Sequence, residues 1–214
     1  MKIQKINQKS PETAIIWTAS HFLKNKKIII HPTETVYGLA GIYLSKTALY
    51  KIIEIKSRDI KQPFSIMVNN IEQIMSIIGK LPGWIEEFLH TIYPAAITIL
   101  LPRKVNLPIS YWNQFPFIGF RYPKHCLSNL LVEMVSSPII TTSANLSGTP
   151  APVRISEISN QLLEEVSITL DGGVTEYQVP STIIKINEKN RKLMLIRKGA
   201  VNWNTIEKCF GNII

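Results

Sequence analysis

The chain has 214 residues, 45% hydrophobic and 18% charged, and its 24 Lys and Arg against 15 Asp and Glu leave a net charge of +9. That balance supplies a hydrophobic core and excludes a disordered, collagen-like or long coiled-coil chain. The longest apolar stretch, residues 95–101, falls far short of the ~20 residues that a membrane-spanning helix needs.

Residues 1–30 hold six lysines and a single acid, Glu12. Such a cluster attracts polyanions, which suggests RNA or nucleotide phosphates as partners; a solvated basic face is the plainer alternative. Ser10-Pro11 reads as an N-cap with proline at N1, opening an amphipathic helix to about Leu23. A buried strand is predicted at 27–30. A helix over 46–57 follows, with Leu49, Ile52 and Ile53 on its apolar face, and then a strand at 63–68. Helices over 71–78 and 82–92 precede a strand at 96–101. Further strands fit 116–121, 138–142, 167–170, 181–186 and 192–197, and further helices fit 124–136, 154–165 and 203–210.

This alternation predicts an α/β fold, a sheet covered by helices. With no repeat, linker or low-complexity tract, residues 1–214 read as a single domain with its core at about 10–210. The N-terminus lacks the pattern of a secretory signal. Cys126 and Cys209 have neither metal-ligand spacing nor the look of a disulfide framework. A cytoplasmic globular protein is the resulting expectation.

Polar clusters fall at the ends of the strand-like runs, where open α/β sheets hold ligands. The first is His31-Pro32-Thr33-Glu34-Thr35-Val36-Tyr37-Gly38, either a ligand turn or an ordinary turn with capping threonines. Lys56-Ser57-Arg58 ends a helix, where two cations can grip a polyanion or simply answer the helix dipole. Residues 141–148, TTSANLSG, can hydrogen-bond phosphate oxygens or form an Asx/ST turn; they lack the P-loop pattern. Arg121 ends an apolar strand and calls for an anionic partner. Asp171-Gly172-Gly173, Pro180-Ser181-Thr182 and Arg197-Lys198-Gly199 complete the set. The histidines lack metal-ligand spacing, His21 reads as surface, and the four scattered tryptophans do not suggest a base-stacking platform. Only two aspartates, Asp59 and Asp171, are present, so a metal cage of several aspartates is not expected.

Taken in order, PTETVYGL (32–39), KSR (56–58), the strand ending in Arg121, TSANLSG (142–148), DGG (171–173), PSTII (180–184) and IRKG (196–199) resemble the YrdC/TsaC family of L-threonylcarbamoyladenylate synthases. The resemblance implies a YrdC-like twisted mixed sheet flanked by helices, in the short form of the family. It implies a nucleotidyltransferase that joins L-threonine, bicarbonate or CO2, and ATP into threonylcarbamoyl-AMP, releasing pyrophosphate. Mg2+ would arrive with ATP, and no metal site in the protein is expected. The product would pass to threonylcarbamoyl transferase machinery acting on tRNA.

By the same resemblance Thr33, Ser65, Arg121, Thr141 and Ser181 would surround threonine, with Arg121 on its carboxylate. Lys56, Arg58, Ser143, Asn145 and Arg197 would hold ATP, with Lys56 and Arg58 catalytic, and Tyr37 would wall the pocket. The chain departs from the family pattern at Ala40, Asp59, Ala95-Ala96, Phe117 and Ala151. Together with the basic charge, these departures motivate a second reading: a catalytically weakened YrdC-like protein that binds tRNA or double-stranded RNA through its basic surface.

Overall fold

Ten strands and eight helices follow one another in the computed structural model, which describes residues 2–211 and 213. The strands are β1 (Ile3–Lys5), β2 (Ile29–His31), β3 (Gly38–Ile42), β4 (Ser65–Met67), β5 (Ile97–Pro102), β6 (Phe117–Arg121), β7 (Ile139–Ser143), β8 (Ile168–Asp171), β9 (Thr182–Asn187) and β10 (Lys192–Arg197). The helices are α1 (Thr13–Lys24), α2 (Lys46–Ile55), α3 (Ile71–Ile78), α4 (Gly83–Ile92), α5 (Ser110–Asn113), α6 (Cys126–Val135), α7 (Asn160–Glu164) and α8 (Trp203–Gly211). All ten strands join one mixed, open sheet in the order β1-β8-β2-β3-β7-β4-β6-β5-β9-β10. The α/β class is as the alternation of elements predicts, and the mixed sheet flanked by helices is as the family resemblance implies.

Successive strand residues point to opposite faces, and this builds two apolar layers. Ile29, Ala40, Met67 and Ile139 pack toward α1 and α6 on one face. Their neighbours Ile30, Leu39, Ile66 and Ile140 join the larger core under α2, α3, α4 and α8 on the other.

Four local expectations change. Strand β3, GLAGI, has none of the β-branched alternation that signals a strand. Its small residues serve packing instead: a Cβ on Gly41 would come within 3.0 Å of Ile28, 3.1 Å of Ala48 and 3.2 Å of Ile52. Helix α1 starts at Thr13 with Glu12 as N-cap, not at Ser10, because the Asn7 side chain accepts the backbone N–H groups of Lys9 and Ser10 in a turn. The predicted helix at 154–165 breaks into a 3-10 turn (Ile155–Glu157) and α7, which Ser159 caps through the Leu162 N–H. The short β1 and α5 are additional elements.

Candidate active site

The sheet itself forms the floor of a cavity of about 350 Å3, within the ~300–1,000 Å3 typical of small-molecule sites. Ser65 lies between Thr141 and Gly119 in one row across the sheet, and Gly38 lies opposite Ser143 two residues along, so both rows present the same face to the cavity. Gly119 keeps the Ser65 row open: a Cβ there would sit 3.3 Å from the Ser65 hydroxyl and 3.4 Å from Thr98. Thr33, Tyr37, Arg58, Ser65, Arg121, Thr141, Ser143, Asn145, Ser181 and Arg197 all line this one cavity. Of the candidate residues drawn from the sequence, Lys56 alone does not.

Lys56 turns to protein neighbours instead. The side chain is 1% exposed, and Nζ donates to Ser143 O (2.6 Å), Asn145 O (2.7 Å) and Asn145 Oδ1 (3.2 Å). All three ammonium protons thus have an acceptor on the 143–149 loop. Burial first, and Arg58 second, pull its pKa down to about 7, while the three acceptors favour the charged form. Ser57 explains why two cations one residue apart diverge. It sits at φ 47 in the left-handed region just past the end of α2, so the chain reverses between them. Arg58 then reaches the cavity, donating to Gln62 O and Pro63 O and lying 4.9 Å from the Phe64 ring centroid.

The 32–38 turn is tied down by its own hydroxyls. Thr33 Oγ1 donates to Val36 O at 2.7 Å and accepts from the Thr35 and Val36 N–H groups. Arg121 Nη2 donates to Thr35 Oγ1 (2.6 Å) and Thr33 Oγ1 (3.2 Å) and lies 2.9 Å from Glu34 Oε1. The Glu34 contact is an ion pair without hydrogen-bond alignment, since neither Glu34 oxygen has a hydrogen-bond partner. Arg121 therefore already holds a buried carboxylate, which the sequence reading did not pair with it.

Tyr37 ties its turn to three distant segments. Its N–H donates to Pro152 O, its carbonyl accepts from Ala144 N–H, and its hydroxyl donates to Gly173 O (2.7 Å) and accepts from Gly172 N–H (3.1 Å). Burial and the nearby Asp171 push the phenol well above its ordinary pKa, so it is a neutral wall. On the far side Arg197 Nη2 donates to Ser181 O at 2.8 Å, and Ser181 Oγ lies 2.9 Å from Thr98 Oγ1.

Thr98 and Thr149 also line the cavity and lie outside the motifs read from the sequence, while Thr142, Pro180 and Ile183 lie inside those motifs without having been assigned a role. Thr98 carried a usable signal, a lone hydroxyl inside the apolar strand ITILL. Among the departures, Asp59 does not pair with Arg58; its carboxylate accepts the Lys61 N–H at 2.9 Å in an exposed turn. Phe117 lies outside the cavity lining, whereas Ala151 is part of it. Trp17 is 61% exposed and stacked on His21, with ring centroids 5.5 Å apart, so these two do pair on the surface of α1.

No cluster of three or more His, Cys, Asp or Glu side chains suited to a metal occurs among the described residues, and none of their helices is long and apolar enough to cross a membrane.

A family model for the Sua5/YciO/YrdC domain, described as "Telomere recombination", matches residues 21–199. The chain is 30% identical to a threonylcarbamoyl-AMP synthase of Pyrococcus abyssi over 91% of its own length and 57% of that protein's. It is 32% identical to a putative threonylcarbamoyl-AMP synthase of Methanocaldococcus jannaschii over 98% of its length and 97% of the relative's. The structure of P. abyssi Sua5 complexed with L-threonine superposes with a TM-score of 0.90 at 29% identity, covering all of this chain and 62% of that one. The chain thus spans less than two thirds of the P. abyssi proteins it matches.

Proposed function

The chain belongs to the Sua5/YciO/YrdC family, and on that premise we propose that it is a threonylcarbamoyl-AMP synthase. It would join L-threonine, bicarbonate or CO2, and ATP, and release pyrophosphate. One observation carries the reading: Arg58, Arg121 and Arg197 converge on a single cavity lined with hydroxyls and free of carboxylates. Such a lining suits several small anions held together, with positioning and charge compensation doing the catalysis.

Threonine sits on the sheet floor among Thr33, Ser65, Thr141 and Ser181, with its carboxylate on Arg121. Its neutral amine attacks the carbon of CO2 and releases a proton, or attacks that of bicarbonate with loss of water, and either route gives the carbamate. The resulting carbamate oxygen attacks the α-phosphorus of ATP, and pyrophosphate leaves. Arg58, Ser143, Asn145 and Arg197 surround the phosphates, and Tyr37 closes the wall. Lys56 acts on the reaction through the 143–149 loop that it holds. The donor set on the lining is hydroxyl, amide and guanidinium, which fits Mg2+ carried in by the nucleotide phosphates. The product is an activated acyl-adenylate, which a threonylcarbamoyl transferase acting on tRNA would consume in the cytoplasm. Direct tRNA contact would rest on the N-terminal lysines.

The test is pyrophosphate release by the purified protein with Mg2+. It should require threonine, bicarbonate and ATP together, and absence of a threonine-dependent adenylate overturns the proposal.

A further inference from the structure

The three arginines of the cavity are compensated unequally. Arg58 donates to the backbone oxygens of Gln62 and Pro63, and Arg197 to that of Ser181; neither has a carboxylate partner among the described residues. Arg121 alone faces a carboxylate, Glu34, at 2.9 Å, with the two side chains 8% and 1% exposed. Burying a carboxylate is costly unless it is paired. Its oxygens accept no hydrogen bond and do not line the cavity, and beyond Arg121 its charge is felt by the neighbouring His125. Its place in the turn is held by its backbone, whose carbonyl accepts the Tyr177 N–H.

A cavity that takes both an amino acid and a triphosphate must keep phosphate away from the amino-acid end. Three uncompensated guanidiniums would attract phosphate everywhere, since attraction grows with the charge of the ligand. We propose that Glu34 is a specificity-determining residue: by offsetting Arg121, it leaves that end suited to a singly charged carboxylate and discriminates against phosphate. Repulsion of the wrong ligand is a recognised route to specificity. The inference rests on the reading of Arg121 as the anchor for the threonine carboxylate.

The experiment measures the affinities of inorganic phosphate and of L-threonine by calorimetry on the full chain. In Glu34→Gln the ratio of phosphate to threonine affinity should rise at least ~10-fold over wild type. In Glu34→Asp, whose carboxylate is one methylene shorter, the ratio should rise by an intermediate amount. Thr35→Val, which removes the 2.6 Å hydrogen bond to Arg121 but keeps the charge, should leave it within about twofold. The double variant Glu34→Gln/Arg121→Gln removes both charges together and is read on phosphate affinity alone, since threonine loses its anchor: that affinity should fall back to the wild-type level or below, placing the phosphate on Arg121. A ratio unchanged in Glu34→Gln overturns the proposal; if that variant does not fold, an unchanged ratio in Glu34→Asp does so. Wild-type protein that binds no threonine sinks the functional reading instead, and the phosphate affinities of wild type and variants then judge Glu34 by themselves.

Discussion

The ammonium of Lys56 lies 2.6 Å from the backbone oxygen of Ser143, tying the end of α2 to a loop 87 residues further along the chain. With the Asn145 carbonyl at 2.7 Å, this lysine shapes the loop from behind, while Arg58 faces the cavity. The two cations of one short motif thus do different work, and their variants should separate.

Lys56→Met should lower pyrophosphate release ~100-fold and also cost about 2–4 kcal/mol of stability, because two carbonyls and an amide oxygen lose a buried charged donor. Arg58→Ala should lose activity on the same scale with under about 1 kcal/mol of stability, since its partners are exposed backbone oxygens. Urea denaturation beside the activity assay decides the matter; equal stability losses in both variants would contradict the division of labour.

Thr98→Val keeps the shape of β5 and removes the hydroxyl that meets Ser181 at 2.9 Å. One lost hydrogen bond at the cavity floor should weaken threonine binding about tenfold. The effect should fall on the threonine KM more than on kcat. No change in threonine affinity would place Thr98 outside the amino-acid site.

Gly199→Ala should destabilise the fold by about 2 kcal/mol or more. A Cβ there would overlap the backbone of Pro180, Ser181 and Thr182, none of which is a flexible side-chain end. Because Arg197 holds Ser181 through the same backbone, activity should fall with stability. A melting temperature equal to wild type would refute this.

Stability should fall as pH drops below about 6.5. Burial first, then His125, lowers the pKa of His31 to about 3; burial lowers that of His125 to about 4 despite the opposing pull of Glu34. Below the unfolded value of 6.5 the unfolded chain binds protons that the fold refuses. Each histidine then adds a slope of about 1.4 kcal/mol per pH unit as pH falls toward the folded values. Unfolding free energies measured from pH 7 to 5 check it, and a flat profile would show these rings to be protonated in the fold.

The sheet class and most helices were legible in sequence order, because apolar periodicity and turn chemistry are local properties; Thr33, Ser65, Thr141 and Ser181 were legible as site residues through the resemblance of their motifs to a family. Strand β3 was not. GLAGI is a strand by virtue of its neighbours β2 and β7 and of Gly41's close fit to α2. His21 reads as a surface residue and Trp17 as one of four scattered tryptophans; helical spacing four apart on α1 stacks the two, a relation visible once the helix is placed.

The sequence by itself determined which residue types gather into motifs, and therefore that the site would be cationic, hydroxyl-rich and poor in aspartate. Only the tertiary structure decided which cations face the cavity and which are consumed. Residues 56 and 58 are separated by a single residue, yet that residue, a left-handed Ser57, sends one into the protein and one toward the ligand space. Glu34 and Arg121 are 87 positions apart, yet they form the buried ion pair beside the cavity floor. Charge pairing depends on distances through space, and the order of residues along the chain leaves those distances open until the strands are assembled.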